Sequence, residues 1–226
     1  MNPKQLAAEM AVSFLEDGMT IGLGTGSTAY WAIEKIGEKV KKENWKIRAI
    51  ATSIRSEEQA KGLGIPIFDF STIKSIDITI DGADEVDPQL QLIKGGGGAL
   101  LREKIVASNS KQMIVVADES KWVKSLGSFP LPVEVINFGW QRTFEKLQLL
   151  GCVAKRRMQD NGPYLTDNGN YIVDCAFKEI KDPPALHEAV NAITGVVDNG
   201  LFIRKASKLV LGFNNGEIRV INQISD

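Results

Sequence analysis

The stretch TIGLGTGSTAYW, Thr20 to Trp31, is the part of the sequence that decides the fold class. Its first residues, Thr20 to Leu23, are typical of a buried strand, and a glycine-rich turn separates them from an amphipathic segment that continues to about Val40. A strand, a glycine-rich turn and a helix in this order open a βα unit, and such units build parallel sheets. The stretch therefore predicts an α/β fold.

The same alternation of helix and strand runs through residues 3 to 124 and predicts a largely parallel sheet. Pro3 is placed to begin the first helix and Gly18 to end it. A further helix is predicted from Ser56, because SEEQ has the spacing of a capping box. Strands are predicted at residues 47–51 and 66–68.

The run IDITIDGADE, residues 76–85, predicts another strand. Isoleucine alternates with Asp77, Thr79 and Asp81, so one face of this strand is expected to be buried. Asp81 falls at the carboxyl end of the strand. Ligands of open α/β sheets bind beyond the carboxyl ends of the strands, so the segment around Asp81 is a candidate binding site.

A change of pattern near residues 129–132 indicates a second, smaller α+β domain. From about Leu131 to Val197 the predicted order is strand, helix, strand, strand, helix, strand, which is the split-βαβ, ferredoxin-like pattern. Strands predicted after residue 200 return to the first sheet. The expected domains are therefore residues 1–128 plus 200–226 and residues 129–199.

Composition and charge narrow the class of partner. The chain has 226 residues, 43% of them hydrophobic, and a formal net charge of −1, so neither a nucleic-acid surface nor a membrane patch is predicted. The first residues lack a signal-peptide pattern and no segment is long enough for a membrane span, so a cytoplasmic protein is expected. His187, Cys152 and Cys175 have no metal-ligand spacing, so no metal site is predicted and both cysteines are expected to be buried thiols.

The turn after the first strand is a candidate anion site. GLGTGS, Gly22 to Ser27, lacks the third glycine of a dinucleotide-binding turn at its usual place, and the next strand ends in Ala51-Thr52-Ser53 rather than in the carboxylate that holds the ribose of NAD. The backbone N–H groups and hydroxyls of residues 25–28, at a helix N-terminus, suit a single phosphate instead. An ordinary Ser/Thr cap is the alternative.

Two further motifs lie at and after the carboxyl end of this strand. DGADEVD, residues 81–87, carries acidic side chains that are either substrate-binding groups or solvated loop charges and caps. KGGGG, residues 94–98, precedes a helix, and the backbone N–H groups of such a run can stabilise negative charge that forms on a substrate carbonyl. Lys94 adds a full positive charge to this run.

Glu103 falls about one turn inside the helix that follows the glycines, and it is a candidate general base. A carboxylate beside apolar surface is suited to this task because burial raises its pKa. The alternative is a solvent-facing glutamate paired with Arg102 or Lys104. A phosphate site, carboxylates, a lysine and a glycine run together favour proton transfer on a sugar phosphate through an enediolate, which needs no redox cofactor.

The motifs GLGTGSTA, TIDGADEVD, IKGGGGALLREK, ADESK, FPLPVEV and GVVDNGLF, in this order, closely resemble the ribose-5-phosphate isomerase A family. The resemblance covers nearly the whole chain, although residues 141–182 contribute little to it. It implies the interconversion of ribose 5-phosphate and ribulose 5-phosphate without metal or coenzyme. It also implies a Rossmann-like domain joined to a smaller α+β domain.

The resemblance also implies roles for individual residues. Glu103 corresponds to the proton-transferring base, and Asp81, Asp84 and Lys94 correspond to the groups that open the furanose ring and stabilise the enediolate. Lys121 and Lys4 correspond to lysines that reach the substrate or its phosphate. The other implied substrate-binding residues are Thr25, Gly26, Ser27, Thr28, Gly82, Ala83, Gly95, Gly96 and Gly97.

Two other functions are compatible with a related fold. Glucosamine-6-phosphate deaminases and CoA transferases use a glutamate near a glycine-rich loop, but the deaminase needs other acid–base partners than this chain offers. A sugar-phosphate-sensing domain of a transcription regulator would need no acid–base set such as Asp81 and Glu103. The expected substrate is therefore a small sugar phosphate. Homo-oligomers are common among such enzymes, so a homodimer is expected.

Overall fold

The computed structural model describes residues 2–160 and 162–223. The chain divides into two compact units, one formed by Met1–Ala83, Arg102–Trp122 and Arg204–Asp226 and the other by Asp84–Leu101 and Val123–Ile203. The α-helices are α1 (Pro3–Val12), α2 (Ala29–Glu43), α3 (Ile54–Gly62), α4 (Leu100–Ser108), α5 (Trp140–Gln148) and α6 (Pro183–Asn191). The strands are β1 (Thr20–Leu23), β2 (Arg48–Ala51), β3 (Ile76–Gly82), β4 (Glu85–Val86), β5 (Leu92–Ile93), β6 (Ser110–Asp118), β7 (Leu131–Val135), β8 (Val153–Arg156), β9 (Met158–Gln159), β10 (Gly162–Pro163), β11 (Tyr171–Ala176), β12 (Val196–Asn199), β13 (Leu201–Phe202), β14 (Lys208–Gly212) and β15 (Ile218–Asn222).

The first unit contains the predicted largely parallel sheet. Its six strands have the order β15-β14-β6-β3-β1-β2, and every neighbouring pair is parallel except β14 with β15. Helices α1 and α2 pack on each other and on this sheet, and the core between them includes Ala11, Ile33 and Ile80. The fold class predicted from the βα pattern is confirmed. Of the strands after residue 200, β14 and β15 return to this sheet as predicted, whereas β13 pairs with β5 instead.

Strand β3 is buried more completely than its alternating pattern predicted. Thr79 and Asp81 were expected on an open face, but both are fully buried, as are their isoleucine neighbours. The reason is the position of β3, because it pairs with β1 on one side and β6 on the other in the middle of the sheet. A parallel sheet of this kind is covered on both faces, so polar residues along its central strands become buried.

Two helix ends differ from the sequence predictions. Helix α1 ends at Val12 rather than near Gly18, and Gly18 instead takes φ +86° in the following turn. Helix α3 begins at Ile54 rather than at Ser56, because Ser53 replaces Ser56 as the N-cap and its side chain accepts the N–H of Ser56. The strand predicted at residues 66–68 is reduced to a single bridge between Ala49 and Ile67.

The second unit contains the predicted split-βαβ arrangement. Its four-stranded sheet has the order β12-β7-β11-β8, and each neighbouring pair is antiparallel. With α5 between β7 and β8 and α6 between β11 and β12, this is the ferredoxin-like order. Cys152 and Cys175 lie in its core as free, buried thiols, as predicted.

The limits of the compact units differ from the expected domain limits in three segments. Residues 84–101, 123–128 and 200–203 group with the second unit rather than the first. The small sheet β13-β5-β4 explains two of these differences, because Leu201 and Phe202 pair with Ile93 and Leu92 and thereby join the two segments. Residues 1, 161 and 224–226 of the expected domains lie outside the described residues. No helix among the described residues has the length and apolar character needed to cross a membrane.

Candidate active site

The glycines of the first turn allow strands β1 and β3 to approach closely. A Cβ atom on Gly22 would lie 2.0 Å from the Oγ1 atom of Thr79, and one on Gly24 would lie 2.2 Å from the Oδ1 atom of Asp81. Both glycines are therefore needed for packing against β3 side chains, whatever ligand the turn binds.

A cluster of hydroxyl groups holds the same turn from the side of β2 and α3. The Oγ1 atom of Thr25 lies 2.7 Å from that of Thr52, 2.8 Å from the Oγ atom of Ser53 and 3.2 Å from that of Ser56. Ser56 also donates to the carbonyl oxygen of Gly24 at 2.7 Å. The hydroxyl of Thr25, predicted to bind phosphate, is thus engaged in fixing the turn.

The N-terminus of α2 is the part of the turn that is open to a ligand. Gly26 and Ser27 are exposed, and Thr28 occupies the N-cap position without a side-chain cap hydrogen bond. The Nζ atom of Lys4 donates to the Oγ atom of Ser27 at 2.9 Å, so the structure brings this predicted lysine to the turn. A helix N-terminus beside an ammonium group is suited to an anion.

Lys121 lies in the same unit but is not joined to the turn. It ends the short 3-10 helix Glu119–Lys121 that follows β6, and its side chain is half-buried. Within residues 2–160 and 162–223, no hydrogen bond or ion pair connects Lys121 with residues 25–28.

The two candidate acid–base carboxylates of the first unit are both buried. Asp81 is fully buried at the end of β3, and its Oδ1 atom accepts the backbone N–H groups of Thr25 at 3.0 Å and Gly82 at 2.7 Å. Glu103 is 4% exposed and lies in the first turn of α4. This burial contradicts the alternative of a solvent-facing Glu103.

The glycine run, residues 94–98, lies in the second unit and forms a tight turn. Gly95 and Gly98 have φ +104° and +81°, and the N–H of Gly98 donates to the carbonyl oxygen of Gly95 at 2.9 Å. Lys94 is 2% exposed and its Nζ atom lies 5.4 Å from the ring centroid of Phe202. Gly96 and Gly97 are exposed, so a ligand can reach their backbone.

Asp84 contacts this run directly. Its Oδ2 atom accepts the N–H of Gly96 at 2.7 Å. A Cβ atom on Gly96 would lie 2.6 Å from the Oδ1 atom of Asp84, so a glycine is required for this approach. The structure therefore brings together two of the predicted site residues that are separated by 12 positions.

Two side chains that sequence reasoning missed donate to the carbonyl oxygens of the run, and a third holds one of the two in place. Arg157 donates from Nη1 to the carbonyl oxygens of Gly95 at 2.9 Å and Gly96 at 3.0 Å. The hydroxyl of Tyr164 donates to the carbonyl oxygen of Gly97 at 3.2 Å. Asp174 holds the guanidinium group of Arg157 through two hydrogen bonds.

The remaining acidic residues of DGADEVD serve the backbone. Asp87 is 5% exposed and accepts the N–H groups of Gln89 and Gln91, and burial raises the pKa of its carboxyl group. Glu85 accepts the N–H groups of Gly127 and Phe129 at 2.7 and 2.6 Å. The interpretation as a cap is correct for Asp87, whereas Glu85 holds a distant loop. No group of three possible metal-binding side chains is found in the described part of the chain.

Comparison with known sequences gives consistent matches. A sequence model of the family described as ribose 5-phosphate isomerase A (phosphoriboisomerase A) matches residues 48–216. The ribose-5-phosphate isomerase A of Bacillus mycoides (strain KBAB4) is 55% identical over 217 residues, which cover 96% of this chain and 98% of that protein. Ribose-5-phosphate isomerase A 1 of Oceanobacillus iheyensis is 48% identical over 209 residues, which cover 92% of this chain and 93% of that protein.

Solved structures match over the same length. The ribose 5-phosphate isomerase from Plasmodium falciparum superposes with a TM-score of 0.95 at 40% identity, covering 98% of each chain. A D-ribose-5-phosphate isomerase solved in complex with phospho-erythronic acid superposes with a TM-score of 0.95 at 41% identity, covering 98% of this chain and 100% of the other.

Proposed function

This chain belongs to the ribose 5-phosphate isomerase A family, and we propose that Glu103 is the base that moves the proton in its reaction. The reaction interconverts D-ribose 5-phosphate and D-ribulose 5-phosphate. Its net change is the transfer of one hydrogen from C2 to C1 and of one hydroxyl proton from the C2 oxygen to the C1 oxygen, with no atom gained or lost. One base that takes the C2 proton and returns it to C1 is sufficient for the transfer between the carbons.

The proposed reaction begins with opening of the furanose ring, in which Asp81, Asp84 and Lys94 act. Ring opening moves a proton from the C1 hydroxyl to the ring oxygen and leaves a carbonyl at C1. Carboxylates and an ammonium group can hold and move this proton. The hydrogen bonds that Asp81 and Asp84 accept from backbone N–H groups fix the position of each carboxylate.

In the next step Glu103 removes the proton from C2, and the electron pair of the C–H bond forms the C1–C2 double bond. The C1 carbonyl oxygen gains the negative charge of an enediolate. Lys94 and the glycine run, residues 95–97, stabilise this charge, and the N–H of Gly97 is the proposed donor because that of Gly96 is bound to Asp84. Transfer of the C2 hydroxyl proton to the C1 oxygen and return of the proton from Glu103 to C1 complete the ketose. Gly82 and Ala83 complete the proposed set of residues that contact the sugar.

The phosphate group is proposed to bind at the start of α2. The proposed donors are the backbone N–H groups of residues 26–28 and the hydroxyls of Ser27 and Thr28, and Lys4 and Lys121 supply positive charge. The contact between Lys4 and Ser27 supports this assignment. Because the hydroxyl of Thr25 is engaged with Thr52 and Ser53, the hydroxyls of Ser27 and Thr28 carry this role.

The burial of Glu103 is the single observation that carries the proposal. Glu103 is 4% exposed, so its carboxylate is removed from bulk water. In bulk water strong solvation of the carboxylate would make it a weak base toward a C–H bond. A surface glutamate paired with a neighbouring lysine would be a poor candidate for the same role.

The test is the turnover of Glu103→Gln, which keeps the size of the side chain but cannot accept the proton. We expect kcat to fall by about 10²- to 10⁴-fold, with unchanged thermal unfolding and retained binding of ribose 5-phosphate. Glu58→Gln makes the same chemical change at an exposed position of α3 and should leave kcat unchanged. Near-normal turnover of Glu103→Gln would remove Glu103 as the base.

We further propose that the enzyme acts as a cytoplasmic homodimer. Large apolar side chains on the second unit support a protein partner, since Phe138, Leu149 and Val153 are 90%, 85% and 63% exposed. A charged sugar phosphate as substrate supports a cytoplasmic location. Sedimentation equilibrium and cell fractionation test these two proposals, and a monomer or an exported protein would contradict them.

A further inference from the structure

We propose that Arg157 is a positioning residue that orients the peptide groups of the glycine run, with Asp174 and Tyr164 as its supports. The inference rests on the proposed role of the glycine run in stabilising the enediolate. Arg157 is not proposed to contact the reacting atoms. It acts through the backbone of the glycine run, which is proposed to contact them.

The need for such a residue follows from the composition of the run. Four consecutive glycines, Gly95 to Gly98, have far more backbone freedom than other residues. An oxyanion-type site works only when its donors are already aimed at the position where charge develops. Something outside the run must therefore select one orientation of each peptide group.

The contacts of Arg157 select that orientation through the planarity of the peptide bond. In a trans peptide the C=O and the following N–H point in opposite directions. Arg157 binds the carbonyl oxygens of Gly95 and Gly96, so it directs the N–H groups of Gly96 and Gly97 away from itself. The first of these N–H groups donates to Asp84 at 2.7 Å. The second belongs to the exposed Gly97 and is the donor available to a substrate oxygen.

The guanidinium group is itself held rigidly. Its Nε and Nη2 atoms donate to the two carboxylate oxygens of Asp174 at 3.0 and 2.6 Å, which is the bidentate geometry that lysine cannot reproduce. The side chain of Arg157 is 15% exposed, so this ion pair is only partly screened by water. The backbone N–H of Arg157 also donates to the carbonyl oxygen of Ile172 at 2.8 Å, which ties the residue to β11.

Tyr164 extends the same support to the next peptide group. Its hydroxyl donates to the carbonyl oxygen of Gly97, and its ring centroid lies 5.7 Å from the guanidinium carbon of Arg157. A Cβ atom on Gly98 would lie 2.1 Å from this hydroxyl, so Tyr164 packs directly on the run. Three successive carbonyl oxygens, those of Gly95, Gly96 and Gly97, are therefore held by two side chains.

The experiment compares Arg157→Ala with Arg156→Ala. The neighbouring Arg156 stacks over the ring of Trp140 at 4.5 Å, and within the described part of the chain its side chain contacts other residues than the glycine run, so it controls for loss of an arginine from this segment. We expect Arg157→Ala to lower kcat by about 10- to 100-fold with KM changed by less than about threefold, because misaligned donors weaken the transition state more than the bound substrate. Arg156→Ala should keep the wild-type kcat.

Two further readouts separate positioning from a purely structural role. Guanidinium chloride at millimolar concentration should restore part of the kcat of Arg157→Ala but none of that of Glu103→Gln. Arg157→Lys should show an intermediate kcat, because an ammonium group can reach a carbonyl oxygen but cannot fork to Asp174. Kinetic constants are expressed per folded molecule, with the folded fraction taken from thermal unfolding.

The inference is wrong if folded Arg157→Ala turns over ribose 5-phosphate at the wild-type rate, or if its loss of kcat is matched by Arg156→Ala. If Arg157→Ala does not fold, Tyr164→Phe removes a single hydrogen bond to the run and should lower kcat about 3- to 10-fold, whereas a normal kcat would overturn the proposal. Failure of the proposed function is distinct, because it would appear as near-normal turnover of Glu103→Gln.

Discussion

The two glycine-rich turns of this protein look alike in sequence but are held in place in different ways. The first, residues 22–28, is fixed by hydroxyl groups that lie just after β2 and in the first turn of α3, within the same unit. The second, residues 94–98, is fixed by Asp84 on one side and by Arg157 and Tyr164 on the other. Glycine allows close packing in both turns, and in the second turn it also leaves the backbone of Gly96 and Gly97 exposed.

This difference supports the proposal that the two turns have different tasks. The first presents a helix N-terminus with a lysine beside it, which suits a stable, fully formed charge such as phosphate. The second presents single N–H groups whose directions are set by outside side chains, which suits charge that forms only in the transition state. Changes to the first turn should therefore affect binding, and changes to the second should affect turnover.

The largest expected effect comes from removing the phosphate from the substrate. Ribose forfeits every charge-assisted hydrogen bond at the first turn, and each is worth about 1.5 to 3 kcal/mol. Because this binding energy also positions the reacting carbons, kcat/KM should fall by several orders of magnitude and kcat should fall with it. Steady-state kinetics on both sugars measures this, and a loss confined to KM would show that phosphate contributes affinity alone.

The next largest effect is expected for Gly96→Ala in the second turn. The new Cβ atom would lie 2.6 Å from the Oδ1 atom of Asp84, so the carboxylate or the run must shift. We expect kcat to fall by about 10²-fold while KM and the unfolding temperature change little. Gly62→Ala is the matched control, since a Cβ atom there meets no atom within 4 Å. A variant that melts early but works normally when folded would show that this glycine is structural.

A smaller effect is expected for Lys121→Ala. Loss of one phosphate contact should raise KM for ribose 5-phosphate by about tenfold, and it should leave the residual activity on ribose unchanged because ribose has no phosphate to meet. Lys41→Ala, at an exposed position near the end of α2, serves as the control. Equal losses on both sugars would mean that Lys121 acts at the sugar carbons or in folding.

No effect is expected from chelation. Asp81, Asp84 and Asp87 each accept backbone N–H groups, which orients these carboxylates for acid–base work or capping rather than for a shared cation. Activity should be the same before and after dialysis against EDTA. Loss of activity that one divalent ion restores would mean that the acidic loop binds a metal and that both its proposed roles need revision.

Much of the fold was predictable because its signals are local. The βα pattern indicated the parallel sheet, and the order of elements from Leu131 indicated the split-βαβ unit. The differences between the predicted and the observed helix ends have local causes as well. Ser53 competes with Ser56 as the N-cap of α3, and both offer a hydroxyl at the right place.

The parts of the candidate site could be proposed from the sequence, but the side chains that support them could not. Asp84 and Gly96 could be proposed from their motifs, but Arg157 could not, because nothing in the run KRRM distinguishes it from Arg156. Its contact with Gly95 spans 62 positions in the sequence. The contact also depends on the position of Asp174 in β11, because Asp174 orients the guanidinium group. The role of Thr25 was also beyond sequence reasoning, since a hydroxyl at a helix N-terminus can serve a ligand or its own neighbours.

The inhibition constant of inorganic phosphate, competing with ribose 5-phosphate, tests the division of tasks between the two turns most directly. Inorganic phosphate has no carbon to react, so it reports the phosphate site alone. We expect Lys4→Ala to raise this constant by about tenfold and Gly96→Ala to leave it within about twofold of the wild-type value. An inhibition constant raised by Gly96→Ala as much as by Lys4→Ala, or not raised by Lys4→Ala at all, would contradict the account.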